Sequence, residues 1–370
     1  MLELKLGIAG TAKNTGKTTA TAAIMQELRA RDVSFFLTSI GYDGENIDNV
    51  TGLPKPRLQV EPGDVVATAE KCLAVSTAVM ETLVVTDIHT PLGRIHVARV
   101  QKAGLAVTAG PNKSLEVRQL GEILRRLGPG VTIFDGALNR IAPMVETDGF
   151  ILATGAARTP DIPRLALETG LIWRISTLPT VPRALELAER HYTTITLLDS
   201  DLQKVKSWTG SSLLVESDVD QILAAPPERD GYLYIPGIIS EKCLHRLIET
   251  LGRRPQRFLL AFADPIKLLV AANPVGYHEL LQELEKTGAV VGVVKRVPLL
   301  AVTINPFYPD YRVETKAYQP AFVDMTRLQL AVKGSVKIPV YNVVKQGAKG
   351  LVDILLANAR RWEHPDTMHF

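Results

Sequence analysis

The sequence predicts an α/β fold, in which a mostly parallel sheet flanked by helices carries a β-rich insertion and is followed by a second, smaller α/β domain. Three observations lead there. Short apolar runs alternate with helix-spaced stretches from the first residues onward, which is the pattern of strand–helix–strand units. Gly (27) and Pro (23) fall between those runs as turn punctuation. The chain of 370 residues, 46% hydrophobic and 22% charged, has ordinary globular composition, and its length is that of two or three domains.

The elements follow in order. Residues 4–9 form a short apolar run, 10–16 a Gly/Thr/Lys loop, 17–31 an Ala-rich helix and 33–39 a β-rich run, together a βαβ unit. Residues 51–62 are Pro-rich and extended, because each proline fixes its own φ and biases the preceding residue away from helix. In 83–100, Leu83, Val85, Ile95 and Val97 alternate with polar neighbours around Thr90-Pro91-Leu92-Gly93, which predicts a hairpin within an insertion spanning 55–108. Residues 114–127 have helical spacing, ended by Gly128-Pro129-Gly130, and the apolar strand 131–134 closes on Asp135. Strands at 150–153 and 171–176, with a helix over 163–169 between them, continue the alternation. The first domain is therefore 1–54 plus 109–200, and 201–230 is a connection. A C-terminal domain, 231–370, has strands at 232–235, 258–262, 290–294 and 338–343 and a helix at 241–251.

Composition narrows the function. Lys plus Arg (42) exceed Asp plus Glu (39) by three and are scattered, so the basic stripe of a nucleic-acid binder is missing. Two cysteines, Cys72 and Cys243, build neither a disulfide framework nor a structural zinc site. No apolar run reaches the roughly 18 residues of a spanning helix. The start, Met-Leu-Glu-Leu-Lys, carries an acid where a signal peptide needs positive charge. A cytoplasmic protein without nucleic-acid or membrane partners is expected.

The strongest chemical signal is Gly10-Thr11-Ala12-Lys13-Asn14-Thr15-Gly16-Lys17-Thr18-Thr19, lying between an expected strand and an expected helix. Backbone N–H groups of such a loop point at phosphate oxygens, and the helix dipole adds positive potential. Lys17 supplies a mobile charge for the β and γ phosphates, and the Thr18 hydroxyl binds a bridging Mg²⁺. Thr11 occupies the first-glycine position, and the glycine stands one residue earlier, at Gly10. Asp135 either reaches Mg²⁺ or its water, or is a surface strand-end aspartate. Asp43, after the second strand, is a switch-region ligand or water-positioning residue, or Asp43 and Glu45 are plain turn residues. The catalytic candidates are Lys17, Asp43 and Asp135, and the metal candidates Thr18, Asp135 and Asp43.

Thr154-Gly155-Ala156-Ala157-Arg158 follows a strand and would emerge at the same carboxyl edge, where Arg158, like Arg140, is a candidate phosphate contact or a solvated arginine. Asn112-Lys113-Ser114-Leu115 lacks the carboxylate that reads guanine, so GTP is not supported. His89 reads as a turn histidine beside Pro91. There is no Gly-x-Ser-x-Gly elbow, no His-x-x-x-His pair and no Cys/His pairing, so hydrolase and metalloenzyme readings lose ground. Asn305-Pro306-Phe307-Tyr308-Pro309 follows an apolar strand and either forms one side of a cleft or is a structural Pro-rich turn, and it stays unassigned.

Gly10-Thr11, four residues, then Gly16-Lys17-Thr18 resembles the loop of dethiobiotin synthetase, and so the P-loop NTPase class that includes the ParA/MinD partitioning ATPases. The resemblance covers about the first 45 residues and the Asp135 strand. It implies a P-loop NTPase-like sheet, ATP with Mg²⁺ as cofactors, and a homodimer with nucleotide near its interface. Ala12 stands where the partitioning ATPases carry their signature lysine, and Thr38-Ser39-Ile40-Gly41-Tyr42 replaces the substrate-binding Lys-Pro of the synthetase. Gly41-Tyr42-Asp43-Gly44-Glu45, 51–57, 90–94 and 135–140 are similar to proteins associated with cobalamin-dependent lysine or ornithine aminomutases, thought to belong to an ATP-dependent reactivase. These resemblances imply an ATPase that remodels or reactivates a partner enzyme. Two other readings stay open: an ATP-dependent small-molecule kinase or ligase, and a nucleotide-sensing interaction protein with little turnover.

Overall fold

A computed structural model describes residues 2–41, 58–137, 142–224, 228–252, 257–271, 274–313 and 316–362. The chain divides into two compact units, Met1–Ala166 with Leu299–Phe370, and Leu167–Pro298.

The first stretch runs β1 (Glu3–Gly10), α1 (Lys17–Ala30), β2 (Phe35–Ser39), β3 (Leu58–Val60), β4 (Val65–Ala69), α2 (Glu70–Val75), β5 (Val79–Thr90), β6 (Gly93–Lys102), β7 (Gly104–Ala106), α3 (Ser114–Leu127), β8 (Gly130–Ala137), β9 (Gly149–Gly155) and α4 (Ile162–Ser176). The second unit adds α5 (Ala184–Glu189), β10 (Thr196–Leu198), β11 (Lys204–Ser207), α6 (Glu216–Leu223), β12 (Tyr232–Ile235), α7 (Glu241–Gly252), β13 (Phe258–Phe262), α8 (Pro265–Ala271), α9 (Pro274–Lys286) and β14 (Ala289–Val293). The chain then returns to the first unit as β15 (Leu299–Asn305), β16 (Phe307–Arg312), β17 (Ala317–Phe322), α10 (Met325–Ser335), β18 (Val340–Tyr341), α11 (Val343–Gln346) and α12 (Lys349–Trp362).

The first unit is built on a nine-stranded sheet in the order β18-β15-β9-β1-β8-β2-β4-β6-β5. From β18 to β4 every pairing is parallel, and β6 pairs antiparallel with both β4 and β5. The mostly parallel sheet flanked by helices is thus present. Its central strands read as continuous apolar runs because both faces are covered. Along β2, Phe35 and Leu37 enter one core with Leu4, Leu6, Ile8 and the α1 residues Ile24, Met25 and Leu28. Phe36 between them turns to the other face, against Leu120 and Leu124 of α3. The α1 residues that pack inward, Ala20, Thr21, Ile24, Met25 and Leu28, form one stripe at helical spacing.

Three expectations about single segments need correcting. Residues 171–176 are not a strand but the second half of α4, where Leu171, Ile172 and Ile175 are buried; a short apolar run does not distinguish strand from buried helix. The 55–108 segment does not stand apart as an insertion: β4, β6 and β5 continue the main sheet, while β3 and β7 pair with each other. The hairpin turns on Pro91-Leu92, with Thr90 opposite Gly93, and His89 lies inside β5 opposite Arg94 rather than in the turn.

The division of the chain also differs. Residues 167–200 leave the first unit, and 299–370 rejoin it instead of completing a C-terminal domain. The reason is β15, whose six residues from Leu299 to Ile304 are all buried because they slot beside β9 (Val302 opposite Leu152). Residues 338–343 give only the two-residue β18, since the Asn342 side chain accepts hydrogen bonds from Val344 and Lys345 N–H and starts a helix. The second unit has its own five-stranded sheet, β11-β10-β12-β13-β14, with parallel pairing from β12 to β14. Its strands at 232–235 and 258–262 and its helix from 241 fall where the sequence puts them.

Candidate functional site

The parallel pairing brings the carboxyl ends of β1, β2, β8, β9 and β15 to one edge of the first unit. Asp135 on β8 is in register with Ile8 of β1 on one side and Ser39 of β2 on the other. Gly10 of β1 is in register with Ala153 of β9, and Thr303 of β15 continues that row.

The loop leaves β1 held by β9: Thr11 N–H donates to the Ala153 carbonyl at 3.0 Å, and the Thr11 and Thr154 hydroxyls lie 2.9 Å apart. It then folds on itself, the Thr15 hydroxyl donating to the Ala12 carbonyl at 2.9 Å. Asn14 (φ 63°) and Gly16 (φ 87°) both take left-handed backbone, which bends the chain into α1. The Gly16 carbonyl accepts the first helical bond, from Ala20 N–H at 2.9 Å. The N-cap residue, Gly16, makes no side-chain capping bond, and the first turn of the helix holds no acid.

Lys17 begins α1 and turns its ammonium to Asp135, with Nζ 3.3 Å from Oδ1. Both side chains are about nine-tenths buried, at 11% and 8% exposure. Removing one member of such a buried pair costs stability, because the remaining buried charge loses a close opposite charge. The remaining loop residues, Ala12, Lys13, Thr18 and Thr19, line the turn and the first helical residues, with Lys13 exposed. Gly10, Thr11, Ala12, Lys13, Asn14, Thr15, Gly16, Lys17, Thr18 and Thr19 therefore form one continuous strand–loop–helix turn facing Asp135.

Other candidates separate. Asp43, Glu45 and Arg140 lie outside the described residues. Arg158 is exposed, in a turn where its N–H donates to the Gly155 carbonyl at 2.9 Å. Among the described residues no group of three His, Cys, Asp or Glu side chains could hold a metal ion by itself.

Two participants have no role assigned by the sequence. Asn305 closes β15, more than 290 residues downstream, yet its Nδ2 donates to the Asn14 carbonyl at 3.0 Å. A Cβ at Gly16 would lie 3.2 Å from the Asn305 Cβ, so the two residues pack face to face. The trace in the sequence is the 305–309 segment after an apolar strand, which offers one side of a cleft without saying what it braces. The second is the Ala109-Gly110-Pro111 segment. Gly110 N–H donates to Ser39 Oγ at 3.1 Å, Gly41 N–H to the Pro111 carbonyl at 3.1 Å, and Ile40 N–H to the Asp135 carbonyl at 2.8 Å. A Cβ at Gly110 would overlap the Ser39 carbonyl, so only glycine lets this segment approach the end of β2.

No protein-family model matches the chain, and no curated protein matches it. Among the described residues, no helix is long and apolar enough to cross a membrane. At the opposite, amino edge of the sheet lies an open groove of about 380 Å³, lined by Glu3, Lys5, Glu122, Arg125 and Asp148 among others. It contains none of the residues expected to bind phosphate, and its acids and bases are near balance.

Proposed function

We propose that this protein is a Mg·ATP-binding P-loop ATPase in which nucleotide binding and hydrolysis bias a partner protein between states. The observation that carries the reading is the Lys17–Asp135 pair, 3.3 Å apart on adjoining elements at the start of α1. Lys17, the loop N–H groups and the α1 dipole would take up the β and γ phosphates. Thr18 and Asp135 would hold Mg²⁺ together with phosphate oxygens, and the ion supplies neutralisation of phosphate charge. The residues present suit that role: Asp135 is a buried carboxylate at the loop, and Thr18 is half-buried in the first turn of α1. A Cβ at Gly10 would stand 3.3 Å from Thr15 Oγ1 and 3.5 Å from Lys17 Cβ, so glycine keeps the loop's concave side clear.

The bond from Ile40 N–H to the Asp135 carbonyl supports a route outward: a shift at Asp135 is felt at the end of β2 and by the Gly110-Pro111 segment bonded to it. A protein partner reading that edge would sense the phosphate.

The test is isothermal titration with non-hydrolysable ATP and GTP analogues, with and without Mg²⁺. Selective Mg²⁺-dependent binding of the ATP analogue is expected. Lys17→Ala should weaken it at least about tenfold, since a charged hydrogen bond contributes roughly 1.5–3 kcal/mol. Lys17→Ala also leaves Asp135 buried without its ammonium, so the double variant Lys17→Ala/Asp135→Asn should regain stability but not binding. Unchanged ATP affinity in Lys17→Ala would sink the loop assignment. Asp135→Asn alone should lower Mg²⁺-dependent binding more than metal-free binding, and equal losses would remove its metal role. ADP release that needs a metabolite, rather than a protein, would favour the kinase or ligase reading.

A further inference from the structure

Directly after Asn305 the chain leaves the main sheet as a separate antiparallel ribbon of β16 and β17. Its register pairs Phe307 with Phe322, Pro309 with Pro320 and Tyr311 with Tyr318. Because side chains alternate, these six residues share one face. The other face pairs Tyr308 with Ala321, Asp310 with Gln319 and Arg312 with Ala317, and its charges are matched by an Arg312–Asp310 ion pair at 2.9 Å.

Pro309 and Pro320 have no N–H, so their pair cannot exchange ladder bonds and must be a non-hydrogen-bonded pair. The neighbouring bonds agree, since Val323 N–H donates to the Pro306 carbonyl at 3.0 Å and Phe307 N–H turns to Asn305 Oδ1. The residues whose N–H groups point outward are then 307, 309 and 311 on one edge and 318, 320 and 322 on the other. Proline occupies the middle position of each, which blocks strand addition along either edge. Whatever docks on this ribbon must use its face.

That face is uncharged. Its rings make edge-to-face contacts, Phe307–Phe322 at 5.8 Å and Tyr311–Tyr318 at 5.2 Å, yet Phe322 is 66% and Tyr311 51% exposed. Aromatic residues paired edge to face and half in water are enriched in interface cores relative to free surface. The face is also palindromic: a local two-fold axis between the prolines exchanges Phe307 with Phe322 and Tyr311 with Tyr318. A second ribbon laid on it meets ring with ring in either direction and brings no charge against charge.

We propose that the Phe307/Pro309/Tyr311/Tyr318/Pro320/Phe322 face is a self-association surface, where a second copy of this chain docks through the same six residues. The exposed part of the face is on the order of 400 Å² per copy, given about 150–250 Å² for each aromatic side chain. Stable dimers bury about 800 Å² per partner, so this contact is a weak and reversible one. The missing charge and the ring-to-ring match of two such faces favour a second copy over a charged partner. The inference is independent of the nucleotide reading.

Sedimentation velocity of the full chain from about 5 to about 500 µM, the range of a weak protein–protein contact, is the test. A monomer–dimer equilibrium is expected, abolished in Tyr311→Glu/Phe322→Glu and unchanged in Leu185→Glu, which alters a side chain 82% exposed in the other unit. ATP-analogue binding and circular dichroism of the ribbon variant should match the parent, which separates this outcome from loss of the phosphate loop or of the fold. A chain that stays monomeric throughout, or a dimer that survives the ribbon variant, would overturn the proposal.

Discussion

Asp264, at the end of β13, is 2% exposed and accepts a hydrogen bond from Lys267 N–H at 3.1 Å. Burial pushes its carboxyl above the ordinary aspartate value of 3.8, and the nearby Lys267 and Lys295 charges only partly offset this. On the same side, burial and the Asp264 charge push the Tyr234 phenol up to about 12. A carboxyl raised in the folded state stabilises fully below the unfolded value and less as pH rises through the folded one. Asp264→Asn keeps an acceptor at the start of α8 and removes the buried charge. The variant should melt higher than the parent at pH 7, and the gain should vanish as the pH falls below about 4, where aspartate is protonated in either state. A melting difference independent of pH would show that the charge is not what costs stability. Asp264 drew no attention in the sequence, because an Ala-Asp-Pro turn does not reveal how deeply its carboxylate is buried. Lys17 and Asp135 did, because residue type and strand–loop–helix context both pointed to phosphate chemistry.

At the scale of an element, the loop and α1 were legible because local signals agree. A buried strand, a glycine able to take φ 87° and an Ala-rich helix lie within thirty residues, so no distant contact is needed to define them. Gly16→Ala tests this. Left-handed backbone costs a non-glycine residue roughly 1–2 kcal/mol, and the added methyl would press on Asn305. Chemical denaturation should show a loss of about that size, with ATP-analogue binding weakened as well; a variant as stable as the parent would mean that the loop backbone is not held as described. The second half of α4 is ambiguous in the sequence for the opposite reason: six apolar-rich residues fit a strand or a buried helix equally, and the burial of Leu171, Ile172 and Ile175 is settled by neighbours.

At the scale of the whole molecule, each unit has its own sheet and its own core, the second built on Leu198, Tyr232, Tyr234, Leu259 and Ala261. Differential scanning calorimetry should therefore resolve two unfolding transitions. A Mg·ATP analogue at 100 times its Kd should stabilise the first unit by about 2.7 kcal/mol and leave the other transition in place. A shift confined to the second unit would move the binding site there.

The sequence by itself determined the α/β class, the βαβ start, the hairpin, three of the five strands of the second unit and the strand–loop–helix turn over 10–19. These rest on periodicity, turn residues and spacing within a few tens of residues. Tertiary structure alone decided that β15 returns to the first sheet, that the 55–108 strands extend that sheet, and that Asn305 braces a loop near the opposite end of the chain. An apolar strand buried on both faces will pair with any sheet offering a free edge, and which edge it takes depends on what the rest of the chain has left uncovered.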